Sequence, residues 1–268
     1  MLEEKLSLEG KKIVITGGGT GLGLEMTTAL ARAGADLVIA SRRQGPIDEA
    51  AQIVRDLGRK AIAVSTDVTD STQVNALMER ALDEFGVVDV LINNAGIVRG
   101  QGATSIWEIS DEEWHLGIDT NMSSAFYCSR AIAQHMVERG LGKIINVSSG
   151  FGFRGGRDNY MYCVGKGGIV QLTRALTTSL SRYGITSTCI VPGFLPTEGT
   201  DASRLTLPRG EFIPIGRVGH PHELGAVAVF LASSGSDYMN GEVFAIDGGG
   251  LAGGIAPTGY APEIPLEV

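Results

Sequence analysis

The sequence predicts an α/β fold of the doubly wound type, with seven parallel strands in one sheet and helices on both faces. Short apolar runs alternate along the chain with longer stretches of helical periodicity. The first of these runs, residues 11–17, is rich in Val and Ile and ends in glycine, as expected of a strand buried on both faces. The 38 glycines gather mostly at strand–helix junctions and follow no three-residue period, which excludes a collagen.

The predicted elements follow one another in strict order. The first helix ends at Gly34, and the second has Pro46 near its start and Gly58 near its end, as is typical of helix boundaries. Such alternation favours parallel strands joined by helical crossovers. The predicted strands span residues 11–17, 36–42, 60–70, 88–96, 142–150, 185–193 and 241–249. The predicted helices span residues 21–35, 45–58, 71–86, 111–139, 160–184 and 222–233.

No linker, repeat or low-complexity stretch divides the chain, so we expect one domain over residues 1–268 with a core at about residues 6–249. The connection over residues 196–214 is longer than usual and suits a mobile lid. Residues 250–268 are rich in Gly and Pro. A loosely ordered terminus and a segment docked on a neighbouring surface are both compatible with them.

Composition argues against several classes of function. The net charge of −8 disfavours binding to nucleic acid or to an anionic membrane. The sequence shows no signal peptide and no apolar run as long as a membrane span. Cys128, Cys163 and Cys189 match no metal or redox spacing and indicate reduced, buried thiols of a cytoplasmic protein. His220 and His222 form the only close histidine pair and lack a third ligand nearby, so no metal site is predicted.

A glycine-rich segment, TGGGTGLG at residues 16–23, joins the first strand to the first helix. Glycines let the backbone approach a pyrophosphate, and a helix N-terminus offers free N–H groups and the positive end of its dipole. The first crossover of a parallel sheet is also where dinucleotides bind. The segment therefore predicts a phosphate site, although such turns also use glycine for backbone geometry alone.

A second group of residues has the pattern of an acid/base site. Tyr162 and Lys166 are four residues apart and share one face of the predicted helix 160–184. Ser149 follows the fifth strand, and Asn121 lies in the long helix before that strand. Taken singly, each residue also fits a structural role, as a packed tyrosine, a strand-end hydroxyl or a locally bonded amide.

In this combination the chain resembles a single-domain short-chain dehydrogenase/reductase. Ser149, thirteen residues before Tyr162, and Asn121 match the family's active-site serine and asparagine. The resemblance covers nearly the whole chain and implies a Rossmann-like fold, oxidoreductase activity on CH–OH groups, and a homotetramer or homodimer. The other family motifs occur in order and at family spacing: TGxxxGxG at residues 16–23, NNAG at 93–96, Tyr-x-x-x-Lys at 162–166 and PGxxxT at 192–197.

The resemblance also implies roles for the active-site residues. Tyr162 would be the acid/base, and Lys166 would tune it and hold the nicotinamide ribose. Ser149 would donate a hydrogen bond to the substrate oxygen, and Asn121 would anchor a water that connects Lys166 to solvent. Because an ammonium four residues along favours a phenolate, we expect Lys166 to lower the pKa of Tyr162. The predicted cofactor contacts are Gly17, Thr20, Gly21, Leu22, Gly23, Ser41, Arg42, Arg43, Asp67, Val68, Asn94, Ala95, Gly96, Tyr162, Lys166, Pro192, Gly193, Phe194 and Thr197.

The end of the second strand indicates which cofactor is used. An acid there would accept the ribose hydroxyls of NAD and repel a 2′-phosphate, but this chain has Ser41 followed by Arg42 and Arg43. A hydroxyl and guanidinium groups suit a phosphate dianion, so we predict NADP(H) over NAD(H). The alternative is that both arginines are solvated loop charges.

Asp67 and Val68 end the third strand and, by resemblance, would hold the edge of the adenine. The alternative for Asp67 is a helix cap, a role that Thr69 or Asp70 would fill equally well.

The substrate is the least defined part of the prediction. The loop after Ser149 carries Phe151 and Phe153, which suit an apolar body. Arg154 and Arg157 in the same loop suit a carboxylate or phosphate, or are solvated or subunit-contact charges. A 3-oxoacyl thioester reductase is one expectation. The alternatives are an NAD(H)-dependent dehydrogenase of a sugar, cyclic alcohol or steroid, and a non-catalytic NADP(H)-binding sensor.

Overall fold

The computed structural model describes residues 2–97, 105–198, 200 and 209–253. Within these ranges seven strands form one sheet in the order β3-β2-β1-β4-β5-β6-β7, and every neighbouring pair is parallel. This confirms the predicted doubly wound α/β fold. The strands are β1 (Lys12–Thr16), β2 (Asp36–Ser41), β3 (Ala61–Ser65), β4 (Val90–Asn93), β5 (Gly142–Val147), β6 (Ile185–Pro192) and β7 (Val243–Ile246).

The helices connect these strands and cover the sheet. The sequence did not predict the first, short helix. None of the described helices combines the length and the apolar content needed to cross a bilayer. The α-helices are α1 (Leu2–Leu6), α2 (Gly21–Arg32), α3 (Gln44–Asp56), α4 (Ser71–Phe85), α5 (Asp111–Ile118), α6 (Ser124–Arg139), α7 (Tyr160–Leu180) and α8 (Glu223–Ala232).

The core lies in two layers, one on each face of the sheet. On one face Met26 of α2 and Leu224 of α8 pack with Ile15 of β1, and all three side chains are fully buried. On the other face Leu77 of α4 packs with Val14 of β1. Consecutive residues of a strand point to opposite faces, so a strand covered on both sides must be apolar throughout. This explains the unbroken apolar runs in the sequence.

The long helix predicted over residues 111–139 is interrupted. A π-helical turn, Asp119–Ser123, separates α5 from α6. The Nδ2 atom of Asn121 donates to the carbonyl of Gly117 at 3.0 Å, so a side chain takes the oxygen that a backbone N–H would use in an α-helix. Single π turns of this kind are frequent at functional sites. No glycine or proline stands within residues 118–139, and for that reason the sequence alone suggested one continuous helix.

The long connection after β6 is only partly described, since residue 199 and residues 201–208 of the predicted lid lie outside the described ranges. Its last part folds over the segment after β7, where Ile215 N donates to Gly248 O at 3.1 Å. Arg217 then pairs with Glu223 at the start of α8 through two hydrogen bonds of 2.7 and 2.9 Å. Residues 254–268, most of the predicted tail, are likewise outside the description.

Candidate active site

The carboxyl ends of β1 and β4 lie side by side in the sheet although these strands are not consecutive in sequence. At this switch of strand order the crossovers leave in opposite directions, and ligands of open α/β sheets bind in the crevice between them. The glycine-rich turn after β1 and the NNAG segment after β4 both reach this crevice.

The glycine-rich turn requires glycine for steric reasons. Gly17 has φ of +67° and Gly21 has φ of +54°, in the left-handed region that favours glycine. A Cβ atom at Gly23 would lie 1.9 Å from the carbonyl oxygen of Gly17. Thr20 precedes α2 without capping it through its side chain, and the first turn of the helix contains no acidic residue. The turn thus presents backbone N–H groups to an anion and fits a pyrophosphate.

The NNAG segment holds this turn in place. Asn94, predicted as a cofactor contact, donates from Nδ2 to the carbonyls of Thr16 and Gly17 at 3.0 and 3.1 Å. In return, the Oγ1 atom of Thr16 accepts from the backbone N–H groups of Asn94 and Ala95, each at 3.1 Å. The side chain of Asn94 therefore points to the glycine turn and fixes its carbonyls. The sequence did not predict this structural role, because it identified the NNAG motif as a whole and not the direction of the Asn94 side chain.

The predicted 2′-phosphate contacts lie together at the end of β2. The Ser41 hydroxyl donates to the carbonyl of Arg43 at 3.3 Å, and the side chains of Arg42 and Arg43 are exposed. Neither guanidinium makes a hydrogen bond or an ion pair with a residue that the structure describes. This donor set, two cations and a hydroxyl with no carboxylate on the strand end, fits a phosphate.

The N-terminus of α4 shows which acid caps this helix. Asp70 accepts from the Gln73 side chain at 3.0 Å and from Thr72 N at 2.8 Å, and these hydrogen bonds lower the pKa of its carboxyl group. Asp67 instead accepts from the backbone and hydroxyl of Thr69 at 3.0 and 2.7 Å. Val68 beside it is buried. Asp67 is therefore not the helix cap.

Three elements meet around the ammonium of Lys166. Its Nζ atom donates to the carbonyl of Val147 at 2.9 Å, and burial lowers the pKa of the side chain to about 8. Asn121, also buried, accepts from Ile97 N at 3.0 Å and donates to Ile97 O at 3.1 Å. A Cβ atom at Gly96 would lie 3.0 Å from Asn121 Oδ1 and 3.1 Å from Lys166 Nζ. The π turn, α7 and the NNAG segment are thus in direct contact.

Tyr162 lies on the same face of α7 as Lys166, as the spacing predicted. The Lys166 Nζ atom is 5.7 Å from the centre of the Tyr162 ring. The side chains of Ser149 and Tyr162 are hydrogen-bonded to each other, and Ser149 Oγ also accepts from Phe151 N at 3.3 Å. The tyrosine, the lysine and the serine predicted from the sequence are brought together.

The prediction that Lys166 lowers the pKa of Tyr162 is wrong. Burial raises the pKa of the phenol, and the hydrogen bond with Ser149 opposes this only in part. The Lys166 Nζ atom, 5.7 Å from the ring centre, does not reverse the shift. Four-residue spacing gives proximity, but the degree of burial decides the direction of the shift.

Ser148 is a positioning residue that the sequence did not distinguish from its neighbour. Its buried hydroxyl donates to the backbone carbonyl of Lys166 at 2.6 Å. A Cβ atom at Gly152 would lie 2.7 Å from both partners, so the loop after β5 passes close to α7. Of the two adjacent serines, Ser149 is hydrogen-bonded to Tyr162, and Ser148 is hydrogen-bonded to the backbone of α7, the helix that carries Tyr162.

The PGxxxT segment after β6 borders the glycine turn. Gly193 N donates to Ile246 O at 3.0 Å, which ties the end of β6 to β7. A Cβ atom at Gly21 would lie 3.5 Å from the Thr197 side chain. The other predicted contacts of this region lie nearby: Pro192 is the last residue of β6, Phe194 lines a pocket with Ile215 and Asp247, and Leu22 packs on the core.

The two arginines of the loop after Ser149 have different surroundings. The guanidinium carbon of Arg154 lies 5.6 Å from the centre of the Phe151 ring, and that ring stands edge-on to Tyr162 with the centres 6.1 Å apart. Arg157 is 95% exposed and faces Asp158 at 3.5 Å. Asp158 has φ of +52°, unusual for a residue other than glycine.

Comparison with known proteins agrees with this geometry. The family profile described as short chain dehydrogenase matches residues 11–207. A 2-dehydro-3-deoxy-D-gluconate 5-dehydrogenase of Escherichia coli is 38% identical over 257 residues, covering 94% of this chain and all of that protein. A 3-oxoacyl acyl-carrier-protein reductase of Chlamydia muridarum is 35% identical over 246 residues, covering 90% of this chain and 98% of its own.

A solved structure gives the same result for the fold. The crystal structure of a gluconate 5-dehydrogenase from Burkholderia cenocepacia, in complex with NADP and tartrate, superposes with a TM-score of 0.86 at 33% identity. The match covers 94% of this chain and 99% of that one. With the family profile spanning most of the sequence, the chain belongs to the short-chain dehydrogenase/reductase family and is an oxidoreductase acting on CH–OH groups.

Proposed function

We propose that this enzyme interconverts a ketone and a secondary alcohol of a sugar acid with NADP(H). The observation that carries the proposal is the cluster of Tyr162, Ser149 and Lys166 at the sheet edge that also holds the glycine-rich turn. Relatives in Escherichia coli and Burkholderia cenocepacia are named as dehydrogenases of gluconate derivatives, and the latter was solved with NADP. These names support the substrate class and the cofactor.

The proposed chemistry needs a proton at the substrate oxygen. When bound, the nicotinamide supplies or accepts the hydride at the reacting carbon. In reduction the Tyr162 hydroxyl gives its proton to the carbonyl oxygen, and in oxidation the phenolate takes it back from the alcohol. Ser149 donates a hydrogen bond to the same oxygen and stabilises the charge that develops there. Because burial raises the pKa of Tyr162, the phenol is protonated at neutral pH and ready for reduction.

Lys166 and Asn121 are proposed to connect Tyr162 to solvent and cofactor. The ammonium of Lys166, with its pKa near 8, can release and regain a proton close to neutral pH. It would also hold the nicotinamide ribose. Asn121 has its amide fixed by Ile97 and would anchor a bridging water, as the family resemblance implies.

The preference for NADP(H) is proposed from the guanidinium groups of Arg42 and Arg43, which pair with no residue in the described part of the chain. The double variant Arg42→Ala/Arg43→Ala should raise the KM for NADPH by about tenfold or more, because charge-assisted hydrogen bonds to the 2′-phosphate are lost. The KM for NADH should stay unchanged. Arg80→Ala, which removes an arginine paired with Glu84 on α4, is the matched control. Equal KM values for NADPH in all three proteins would show that the arginines are solvated charges.

A 3-oxoacyl thioester is the second candidate substrate, favoured by the similarity to the Chlamydia muridarum reductase. Steady-state rates with 5-keto-D-gluconate and acetoacetyl-CoA, each with NADPH and NADH, distinguish the two classes. We expect the higher kcat/KM for 5-keto-D-gluconate with NADPH. A higher kcat/KM for acetoacetyl-CoA would show that the substrate is a 3-oxoacyl thioester rather than a sugar acid.

A homotetramer, or a homodimer, is proposed from the apolar surface of the helices around the site. Trp114 of α5, Phe126 of α6 and Val164 of α7 are 38%, 44% and 50% exposed. Apolar surface of this kind on long helices suits pairing across a two-fold axis. Sedimentation velocity should show an assembly that Phe126→Asp weakens, and a wild-type monomer at assay concentration would refute the proposed assembly.

A cytoplasmic location stays a prediction of the cysteine pattern.

A further inference from the structure

We propose that Arg154 binds the carboxylate of the substrate and makes the enzyme specific for acids over neutral ketones. The inference deepens the proposed function and rests on it for the identity of the reacting oxygen. It concerns one side chain in the loop between Ser149 and α7. No other role in the site has been assigned to this arginine.

The position of Arg154 follows from two ring contacts. Its guanidinium carbon lies over the Phe151 ring, 5.6 Å from the ring centre, and the Phe151 ring contacts Tyr162 edge-on with the centres 6.1 Å apart. A guanidinium over an aromatic ring keeps N–H groups available, while the ring limits its motion. Arg154 and Tyr162 thus both contact Phe151, and the exposed guanidinium can still form a two-hydrogen-bond pair with a carboxylate.

Among the described residues, Arg154 has no carboxylate partner, unlike the neighbouring Arg157. Arg157 faces the carboxylate of Asp158 at 3.5 Å, and the other oxygen of Asp158 accepts from the Tyr160 hydroxyl at 3.3 Å. Lys166 is buried and donates to the Val147 carbonyl. Arg154 makes neither a hydrogen bond nor an ion pair with any residue in the described ranges. It is therefore the cation of this loop that a substrate anion would meet without displacing a protein partner.

The test compares Arg154→Gln with Arg157→Gln, two charge removals three residues apart in one loop. The probes are 5-keto-D-gluconate and L-sorbose, which has the same carbon skeleton and ketone but a hydroxymethyl group in place of the carboxylate. Arg154→Gln should raise the KM for the acid by about tenfold or more and leave kcat/KM for L-sorbose unchanged. Arg157→Gln should change neither value. Equal losses on both probes, or equal effects of the two variants, would overturn the assignment.

A binding measurement separates this inference from the proposed reaction. Calorimetric titration of D-gluconate into wild type, Arg154→Gln and Arg157→Gln reads the carboxylate contact without turnover. If wild type binds D-gluconate and Arg154→Gln binds it at least about tenfold more weakly, the assignment stands even when no ketone is reduced. If Arg154→Gln binds as wild type does, or wild type does not bind, the assignment is wrong, whatever the activity assays give.

Discussion

The hydroxyl of Ser148 donates to the backbone carbonyl of Lys166 across 2.6 Å, and neither group is accessible to solvent water. The bond joins the end of β5, which continues into Ser149, to the turn of α7 that carries the lysine. It therefore sets the distance between the serine hydroxyl and the two side chains of α7.

Ser148→Ala should lower both stability and activity. Removing the donor leaves a buried carbonyl without this partner, at a cost of about 1–3 kcal/mol in the free energy of unfolding. It also lets α7 shift relative to Ser149, so kcat should fall by more than the KM changes. Denaturant melts and steady-state kinetics measure the two effects.

Ser236→Ala is the control for this variant. Ser236 is buried and donates to the Leu231 carbonyl at 2.9 Å, away from the proposed site. Its hydroxyl also donates to the Ser233 carbonyl and accepts from Lys143 Nζ, each at 3.1 Å, so the variant should lower stability by at least as much without changing kcat. A Ser148→Ala enzyme with wild-type kcat would show that the bond serves stability alone.

Gly96→Ala should impair turnover while the fold survives. The added methyl group would lie 3.0 Å from Asn121 Oδ1 and 3.1 Å from Lys166 Nζ, closer than an ordinary contact. Displacement of these groups should reduce kcat by roughly 10- to 100-fold. Gly167→Ala is the matched control, because a Cβ atom there finds its nearest neighbour at an ordinary 3.6 Å. Similar kcat values for the two variants would contradict the prediction.

The pH dependence should differ between the two directions of the reaction. Oxidation needs the Tyr162 phenolate, and burial raises the pKa of this phenol above its usual value of about 10. The kcat/KM for oxidation should therefore rise with pH throughout the neutral and mildly alkaline range. Reduction uses the protonated phenol and should be level over the neutral range. An oxidation profile that reaches its plateau below neutral pH would contradict a raised pKa.

The pair between Arg217 and Glu223 should stabilise the protein at neutral pH and lose this effect in acid. The Arg217 guanidinium lowers the pKa of Glu223 to about 2. A carboxyl group with a lowered pKa stabilises the fold above its usual pKa and loses this effect as the pH falls toward the lowered value. Glu223→Gln should therefore melt at a lower temperature than wild type at neutral pH, and the difference should shrink from about pH 5 downward. A constant difference in melting temperature at all pH values would argue against the pair.

Much of the fold followed from local sequence patterns. All seven strands were predicted at the right places in the chain because runs such as residues 11–17 are apolar on both faces and end in glycine. The third, fourth and seventh were predicted too long. After the third, Thr66 to Asp70 form the turn and cap before α4 rather than more strand. The π turn at Asp119–Ser123 was missed because hydrophobic periodicity does not register one extra residue in a turn.

The sequence predicted which residues form the site but not the direction in which the pKa of Tyr162 shifts. Motif spacing identified Tyr162, Lys166 and Ser149, since side chains four apart on a helix share a face. The direction of the Tyr162 pKa shift depends on burial by distant segments, which spacing does not encode. The inward amide of Asn94 and the Ser148 bond to α7 are likewise tertiary contacts between elements far apart in sequence.

Tyr162 is proposed as the acid/base of an NADP(H)-dependent oxidoreductase. The most direct measurement is the rate of NADPH consumption with 5-keto-D-gluconate and with acetoacetyl-CoA for wild type and Tyr162→Phe, together with the Kd for NADPH of both proteins. We expect wild-type turnover that falls by at least about 100-fold in Tyr162→Phe while the Kd is unchanged. Wild type that binds NADPH tightly but turns over no substrate, or a Tyr162→Phe enzyme that retains its rate, would contradict it.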